Sequence, residues 1–516
     1  MRDDTDGPDG PDGPDEPDQP DAAEASGRLE EALAARRTKL DRLRERGVEP
    51  FALGFEPSTS LSDIRTRFDV LEPGTETGER VSVAGRVMLL RRHGKLAFAT
   101  IRDRAADLQL FLADDTLDTE SRALVEDLDL GDLVGAHGEV VTTRRGELSV
   151  KADRLTLLTK ALRPLPEKWH GLKDPDAQQR QRYLHLATDL DARRYVDARA
   201  ATLRSIRAYL DDRGYVEVET PVLQAIAGGA MARPFSTHHN VLDIDLYLRI
   251  SLELYLKRLL VGGIERVYEI GRNFRNEGID RSHNPEFTML ELYQAYADYF
   301  VVMDIVQDLV RAAALAVTGS TTVTYRGREL DLGGPWRRIT VLGSASEAAG
   351  EEVSLERPLA EMRALAEGHG IGVDPRWGQG KIAQELFEKL VEPTLFEPTF
   401  VMDFPREVSP LARPHRSQPG LTEHVDPVVG GMEIGTGYSE LTDPVEQRAK
   451  FEMQLAAKQA GDDEAHPFDE DFVQALEHGM PPAGGLGVGI DRLLMILTDA
   501  PSIRDLILFP SHRPEA

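Results

Sequence analysis

Between residues 81 and 150 the chain breaks into short runs that alternate apolar and polar residues, at 81–87, 96–101, 108–112, 133–141 and 147–150. Alternation sends successive side chains to opposite faces, so each run can bury one face and wet the other. Several such runs at this spacing predict a small β-barrel, whose closure removes exposed strand edges. Inside it, residues 80–104 carry Arg80, Arg86, Arg91, Arg92, Lys95, Arg102 and Arg104 against Asp103 alone, a local charge of +6.

A barrel of the OB type fits this pattern. Such barrels bind single-stranded nucleic acid through aromatic and basic side chains, which gives Phe98 and the arginine cluster a functional reading. The alternative, Phe98 in the core beneath a solvated basic face, stays open on these residues alone. Upstream, residues 28–46 place Leu29, Leu33, Leu40 and Leu43 near helical spacing with seven Lys/Arg against four acidic residues; they predict an amphipathic helix with a basic face.

The whole chain is acidic, −28 over 516 residues, which argues against indiscriminate nucleic-acid binding. Residues 1–26 contribute −9 of that in a Gly-Pro-Asp repeat and are expected to be a disordered tail. The absence of cysteine removes disulfides, thiolate metal sites and cysteine nucleophiles. Any metal would be held by oxygen or imidazole, and magnesium fits best. No apolar run approaches the ~20 residues of a membrane span and no signal-peptide core is visible, so a cytoplasmic protein is expected.

Residues 161–185, with Pro164, Pro166 and Pro175, read as a linker. From about residue 190 onward, strands and helices lack a regular βαβ rhythm, which predicts an α+β domain with an antiparallel sheet. Walker, kinase, nucleophile-elbow and zinc-protease motifs are missing. Three segments instead set charges among apolar residues, which is costly unless those charges pair or bind a ligand. The first runs through residues 266–278 and 283–293. Read as strand, loop and strand, it puts Arg275 with Glu277, and Glu291 with Tyr293, on shared faces. There an arginine can clamp phosphate and Glu277 can accept from an adenine amino group. In the second, residues 430–440, glycines alternate with Glu433, Thr436 and Glu440, and Asp426 lies seven residues before Glu433. Two carboxylates plus a triphosphate suit magnesium. The third is the glycine-rich run 484–489 entering an apolar helix with Arg492 at its start.

Taken in order, Pro221 within Glu217-Val218-Glu219-Thr220-Pro221, then Phe274-Arg275-Asn276-Glu277, then Gly487-Val488-Gly489-Ile490-Asp491-Arg492 resemble motifs 1, 2 and 3 of the class II aminoacyl-tRNA synthetases. Arg233-Pro234-Phe235, Leu254-Tyr255-Leu256-Lys257-Arg258-Leu259, His283-Asn284-Pro285-Glu286-Phe287-Thr288 and Glu407-Val408-Ser409-Pro410-Leu411-Ala412 are similar to the lysyl-tRNA synthetases among them. The resemblance covers roughly residues 28–514.

It implies a homodimer with an acidic tail at 1–26, a helical segment at 27–79, an OB-fold anticodon-binding domain at 80–160, a linker at 161–190 and a catalytic domain at 191–516 with a helical insertion near 345–395. By position, Arg91, Phe98, Gln109 and Glu147 match anticodon contacts; Arg275, Glu277, His283, Asn284, Phe287 and Arg492 match ATP contacts, Arg275 and Arg492 being the catalytic pair. Asp426 and Glu433 match magnesium ligands. Gly229, Glu253, Glu291, Tyr293, Thr436, Tyr438 and Glu440 match the lysine pocket. The implied activity is ATP-dependent activation of L-lysine and its transfer to lysine tRNA, with neither membrane nor DNA as partner. The chain departs from the family's usual pattern at Ser251-Leu252 (Ala-Pro), Thr436-Gly437-Tyr438 (Asn-Gly-Phe), Met231 (a small residue) and Asp426 (Glu). These departures keep two alternatives in view: a paralogue that activates a lysine analogue or resists an inhibitor, and a non-catalytic RNA-binding protein.

Overall fold

A computed structural model describes residues 22–166, 172, 174–459 and 467–514. The chain forms two compact units, Met1–Gln178 with Tyr183–Leu190, and Gln179–Arg182 with Asp191–Ala516. Residues 1–21 of the expected acidic tail lie outside the described residues. Residues 22–26 belong to the first helix, α1 (Ala22–Glu45), where three alanines favour helix over the tail assignment. Leu40 and Leu43 are buried on its apolar side, as their spacing predicts.

In the first unit, β1 (Glu76–His93), β2 (Leu96–Arg102), β3 (Asp107–Ala113), β4 (Leu133–Thr142) and β5 (Leu148–Thr159) close a barrel in the order β1-β2-β3-β5-β4. The alternating runs thus sit where expected, with Val83, Ala99, Ile101, Leu108, Leu110 and Val150 inside. The basic cluster is less free than its charge suggests. Arg80 pairs with Asp153, Arg102 with Asp107, and Arg86 and Arg92 donate to the Gly131 and Val125 carbonyls, each at 2.8 Å. The proline-containing segment 161–190 includes two short helices, Pro175–Arg180 and Arg182–Thr188.

The second unit is built on a nine-stranded sheet: β6 (Val216–Glu217), β7 (Arg266–Phe274), β8 (Glu286–Ala295), β9 (Arg337–Thr340), β10 (Thr399–Met402), β11 (His424–Val429), β12 (Met432–Glu433), β13 (Gly435–Ser439) and β14 (Ala483–Gly489). Its order is β9-β10-β11-β13-β14-β8-β7-β6, with β12 paired on β11. Pairing is antiparallel except at the two edges, β9 with β10 and β7 with β6. The helices that matter here are α2 (Arg194–Asp211), α3 (Glu253–Val261), α4 (Tyr299–Thr318), α5 (Val341–Ala349), α6 (Leu359–Gly368), α7 (Gln379–Leu390) and α8 (Ile490–Thr498). Val302, Val306, Leu309 and Ala313 give α4 a buried face at helical spacing, and the Asp298 side chain caps its start. Helices α5 to α7 build a separate small core around Val341, Met362 and Leu386.

The period-two reading of residues 275–277 does not hold. Strand β7 ends at Phe274, and Arg275 and Glu277 lie in the loop before β8. The loop is anchored instead by Arg275 N–H donating to the Pro285 carbonyl at 2.8 Å and Asn276 N–H to Arg233 at 2.8 Å. Beneath it sits a buried ion pair, Arg249 to Glu269 at 2.5 Å, with Thr220 donating to the same carboxylate at 2.7 Å. Arg249 also donates to the Arg272 carbonyl at 2.8 Å. Replacing Glu269 with leucine strands a buried guanidinium, and we expect Glu269→Leu to lose about 3–5 kcal/mol in chemical denaturation. A loss under 1 kcal/mol would show that the pair is dispensable.

Candidate functional site

Strand β14 reads Ala-Gly-Gly-Leu-Gly-Val-Gly, and its neighbours explain why. Glu291 on β8 and Thr436 on β13 both sit opposite Gly487; Tyr293 and Tyr438 both sit opposite Gly485. Two rows of functional side chains therefore cross the sheet over a glycine floor. A Cβ on Gly485 would lie 2.0 Å from Glu440 Oε1 and 2.5 Å from the Tyr293 ring, so this position has room for hydrogen alone.

Acidic residues crowd this end of the cleft. Glu253 opens α3, and Lys257 one turn later places its ammonium 2.5 Å from Glu253 and against Glu440, all three being buried. Apart from that ammonium, neither oxygen of Glu440 receives a hydrogen bond among the described residues. Burial, with Glu253 and Glu291 nearby, holds the Glu440 carboxyl up at about 8, even though Lys257 pulls it down. Burial likewise lifts Glu291 to about 7, against the Leu252 N–H and Ser251 hydroxyl that donate to it at 3.0 and 3.1 Å. The Tyr293 hydroxyl donates to Glu291 at 3.3 Å. Gly229 adopts φ +90, and a Cβ there would meet Ser251 Oγ at 2.9 Å. Ser251 and Leu252, departures in sequence, thus bind Glu291 directly. Met231 is half exposed.

The other end of the cleft is cationic and aromatic. The Arg275 guanidinium lies 5.2 Å from the centre of the Phe287 ring, and its Nε donates to the Ile250 carbonyl at 3.4 Å. Desolvation lowers its pKa, opposed by the charges of Glu277, Glu291 and Glu433. Arg275 is thus the electrostatic bridge between the two ends. Arg492, in the first turn of α8, donates to the Glu433 carbonyl at 2.8 Å and to His283 Nε2 at 2.9 Å. His283 Nδ1–H in turn donates to Asp280 at 2.7 Å. Buried Asn284 donates to the Glu286 carbonyl at 2.7 Å, while its own oxygen has no hydrogen-bond partner among the described residues. Glu277 is exposed at the rim.

Asp426 and Glu433 share one face of the β11–β12 hairpin, Glu433 standing opposite Val428. Burial and the adjacent Asp426 raise the Glu433 carboxyl to about 7. Burial with Glu388 and Asp426 raises Glu392 to about 6. Like charges held this closely fit a divalent cation, which would relieve their repulsion. Among the described residues no group of three or more His, Asp or Glu is placed to hold an ion. The donor set therefore suits an ion that keeps water and takes oxygens from a bound phosphate chain, as magnesium does.

On the barrel, Arg91 faces Phe98 across β1–β2, Phe98 faces Phe111 across β2–β3 with ring centres 5.4 Å apart, and Gln109 faces Thr100. These side chains lie on the outer face, opposite the buried Ala97, Ala99 and Ile101. Gln109 donates to Ser149 at 2.9 Å, and Glu147 sits exposed in the β4–β5 turn. Phe98 is partly exposed rather than in the core. Phe111, its partner in a two-ring platform, was not singled out in sequence, although it lies two residues from Gln109 on the same strand. Lys257 and His424 were not assigned roles either. The first carried a signal, a lysine four residues after Glu253 in an apolar run.

The family model described as "tRNA synthetases class II (D, K and N)" matches residues 174–513, and that described as "OB-fold nucleic acid binding domain" matches residues 81–158. The chain is 52% identical to the lysine–tRNA ligase of Moorella thermoacetica, over 94% of this chain and 98% of that protein. It is 50% identical to that of Synechococcus sp. (strain CC9311), over 94% and 100%. To that of Pelotomaculum thermopropionicum it is 48% identical, over 95% and 97%. These relatives share one name, which gives no support to the analogue-activating alternative. With an OB barrel, an antiparallel-rich sheet and the second and third motifs brought to one cleft, the chain belongs to the class II lysyl-tRNA synthetases.

Proposed function

We propose that the cleft activates L-lysine with ATP in the presence of magnesium and passes the lysyl group to lysine tRNA. The observation that carries this reading is the buried acidic pocket over Gly485, where the carboxylates of Glu253, Glu291 and Glu440 outnumber the Lys257 ammonium that is set against two of them. Buried carboxylates in excess of their cation call for a second one, and the ε-ammonium of lysine supplies it. Tyr293 and Tyr438 flank it, and Glu253, Glu291 and Gly229 receive the α-amino end.

Arg275 binds where the lysine carboxylate and the α-phosphate meet. A carboxylate oxygen attacks the α-phosphorus, a new P–O bond forms, the bond to the β-phosphate breaks, and pyrophosphate departs. The planar guanidinium spreads the developing charge from a position already fixed. Phe287 offers its ring to adenine, Glu277 accepts from the adenine amino group, and His283, Asn284 and Arg492 hold the outer phosphates and ribose. Asp426 and Glu433 would hold magnesium, which when bound would neutralise charge on the phosphates. A terminal ribose hydroxyl of the tRNA then attacks the acyl carbon and AMP leaves. No side-chain nucleophile is needed.

The barrel reads the anticodon through Phe98, with Arg91, Gln109 and Glu147 beside it. Exposed Val216, Val222, Leu223 and Ile244, around motif 1, support self-association as a homodimer. The testing experiment is amino-acid-dependent ATP–pyrophosphate exchange across the standard amino acids, followed by charging of lysine tRNA. Exchange confined to lysine, with charging, is expected; exchange without preference for lysine would overturn the reading. Phe98→Ala is expected to lower charging efficiency roughly tenfold or more and leave exchange unchanged, since stacking is worth about 1–3 kcal/mol per base. A parallel loss of exchange would refute the division of labour.

A further inference from the structure

Three of the departures from the family pattern, Asp426, Thr436 and Tyr438, come together on one residue to which sequence gave no role. His424 Nε2 lies 2.8 Å from Asp426 Oδ1 and 3.0 Å from Thr436 Oγ1, and its Nδ1 lies 2.7 Å from the buried Ser409 hydroxyl. A carboxylate only accepts, so Nε2 carries the proton and Ser409 donates to Nδ1. The ring itself is clamped, stacked at 3.8 Å on Phe404 and met edge-on by Tyr438 at 4.7 Å. Ser409, His424, Asp426 and Thr436 therefore form one hydrogen-bonded cluster, and the Tyr438 ring packed on it carries the contact from the metal-side carboxylate to the wall of the amino-acid pocket.

Each member answers a need created by another. Asp426 is one methylene shorter than glutamate, and a fixed donor behind it sets the direction of its free oxygen. Thr436 lacks the donors of an amide, and its single hydroxyl meets His424 Nε2 at 3.0 Å. The half-buried ring of Tyr438 packs edge-on against His424. We propose that His424 is a positioning residue that ties the lysine pocket to the metal-binding carboxylate, so that both lose affinity when its hydrogen bonds are removed. This rests on the functional reading above, because it takes Asp426 as a magnesium ligand and Tyr438 as part of the lysine pocket.

The test uses the full chain and two binding measurements made without turnover: L-lysine affinity by calorimetry with no nucleotide or metal, and Mn2+ affinity by electron paramagnetic resonance with a non-hydrolysable ATP analogue. His424→Phe keeps the ring stack and removes the hydrogen bonds. Both affinities are expected to fall about tenfold, in the range found when groups that orient a metal ligand are removed. The triple variant His424→Phe, Asp426→Glu, Thr436→Asn, which restores the family's pair, is expected to recover both to within about threefold. A purely structural role would not respond to that restoration. Thr436→Val, which touches no metal ligand and keeps its volume, guards against misfolding of the phenylalanine variant and is expected to weaken Mn2+ binding too. Unchanged Mn2+ affinity in Thr436→Val, or a triple variant no better than His424→Phe, would overturn the proposal. A wild-type protein that binds no lysine would overturn the functional reading instead.

Discussion

Glu440→Gln is expected to weaken lysine binding severely and, at the same time, to make the ligand-free protein more stable above neutral pH. The first effect follows from removing the charge that faces the substrate ammonium. Truncating one side of a buried, hydrogen-bonded charge pair costs about 2–5 kcal/mol, so lysine affinity should fall roughly a hundredfold or more. The second follows from proton linkage. Burial holds the Glu440 carboxyl at about 8, against an ordinary value of 4.5. Between those two values the folded chain keeps a proton that the unfolded chain has released, so this group's contribution to stability falls as pH rises through the window. Glutamine carries no titrating proton and escapes that loss. Melting temperatures of the two ligand-free proteins are therefore expected to lie close together near pH 5 and to separate, with the variant higher, by pH 8. For the same reason, lysine binding by the wild type should strengthen as pH rises toward 8, because the ionised carboxylate is the form that pairs with an ammonium. A variant that melts lower at pH 8, or binds lysine normally, would remove Glu440 from the pocket.

Arg275→Ala has the larger kinetic consequence. Its guanidinium is the bridge between Glu291 at the amino-acid end and Glu433 at the metal end, and among the described residues it makes one hydrogen bond, to the Ile250 carbonyl at 3.4 Å. A side chain so lightly engaged by the fold contributes little to stability and much to a charge that develops during reaction. Loss of one preorganised donor typically costs 10²–10³ in rate, and a phosphate-facing arginine supplies more than one. Lysine-dependent pyrophosphate exchange is thus expected to fall about a thousandfold, while the melting temperature stays within a few degrees. Arg275→Lys, a point charge without the planar fork, should recover only a small part. Exchange within tenfold of wild type would show that the adenylate forms without this residue.

The sequence carried these two residues plainly, and other features only in part. Alternating runs located the barrel strands because the apolar side of each run has one place to go. The glycines of 484–489 marked close approach, and the structure puts Tyr293, Tyr438 and Glu440 around Gly485. What local pattern could not carry was partnership between distant segments. The +6 cluster on the barrel is largely spoken for by Asp153, Asp107 and backbone carbonyls, and nothing near Arg80 in sequence names Asp153. Arg275 and Glu277 were assigned a strand's geometry because charges flank apolar residues there, whereas the loop is held by Pro285 and Arg233. His424 is invisible for the same reason, since its meaning lies in Ser409, Thr436 and Phe404 taken together.

The position of β14 in the sheet bears on how the protein is made. This strand lies between β13 and β8, yet it is translated only after residues 296–482, which separate it from β8. A growing chain therefore carries the open edge of β8, with Glu291 and Tyr293 on it, until residues 483–489 arrive to pair. Sheets completed by such late, long-range pairing fold slowly and leave strand edges available to wrong partners in the interval. A chain interrupted before residue 483 would hold most of the acidic pocket but lack its floor and Arg492. Translation errors that stop short would yield inert, sticky fragments rather than a synthetase of altered choice, and errors in charging would have to come from complete molecules.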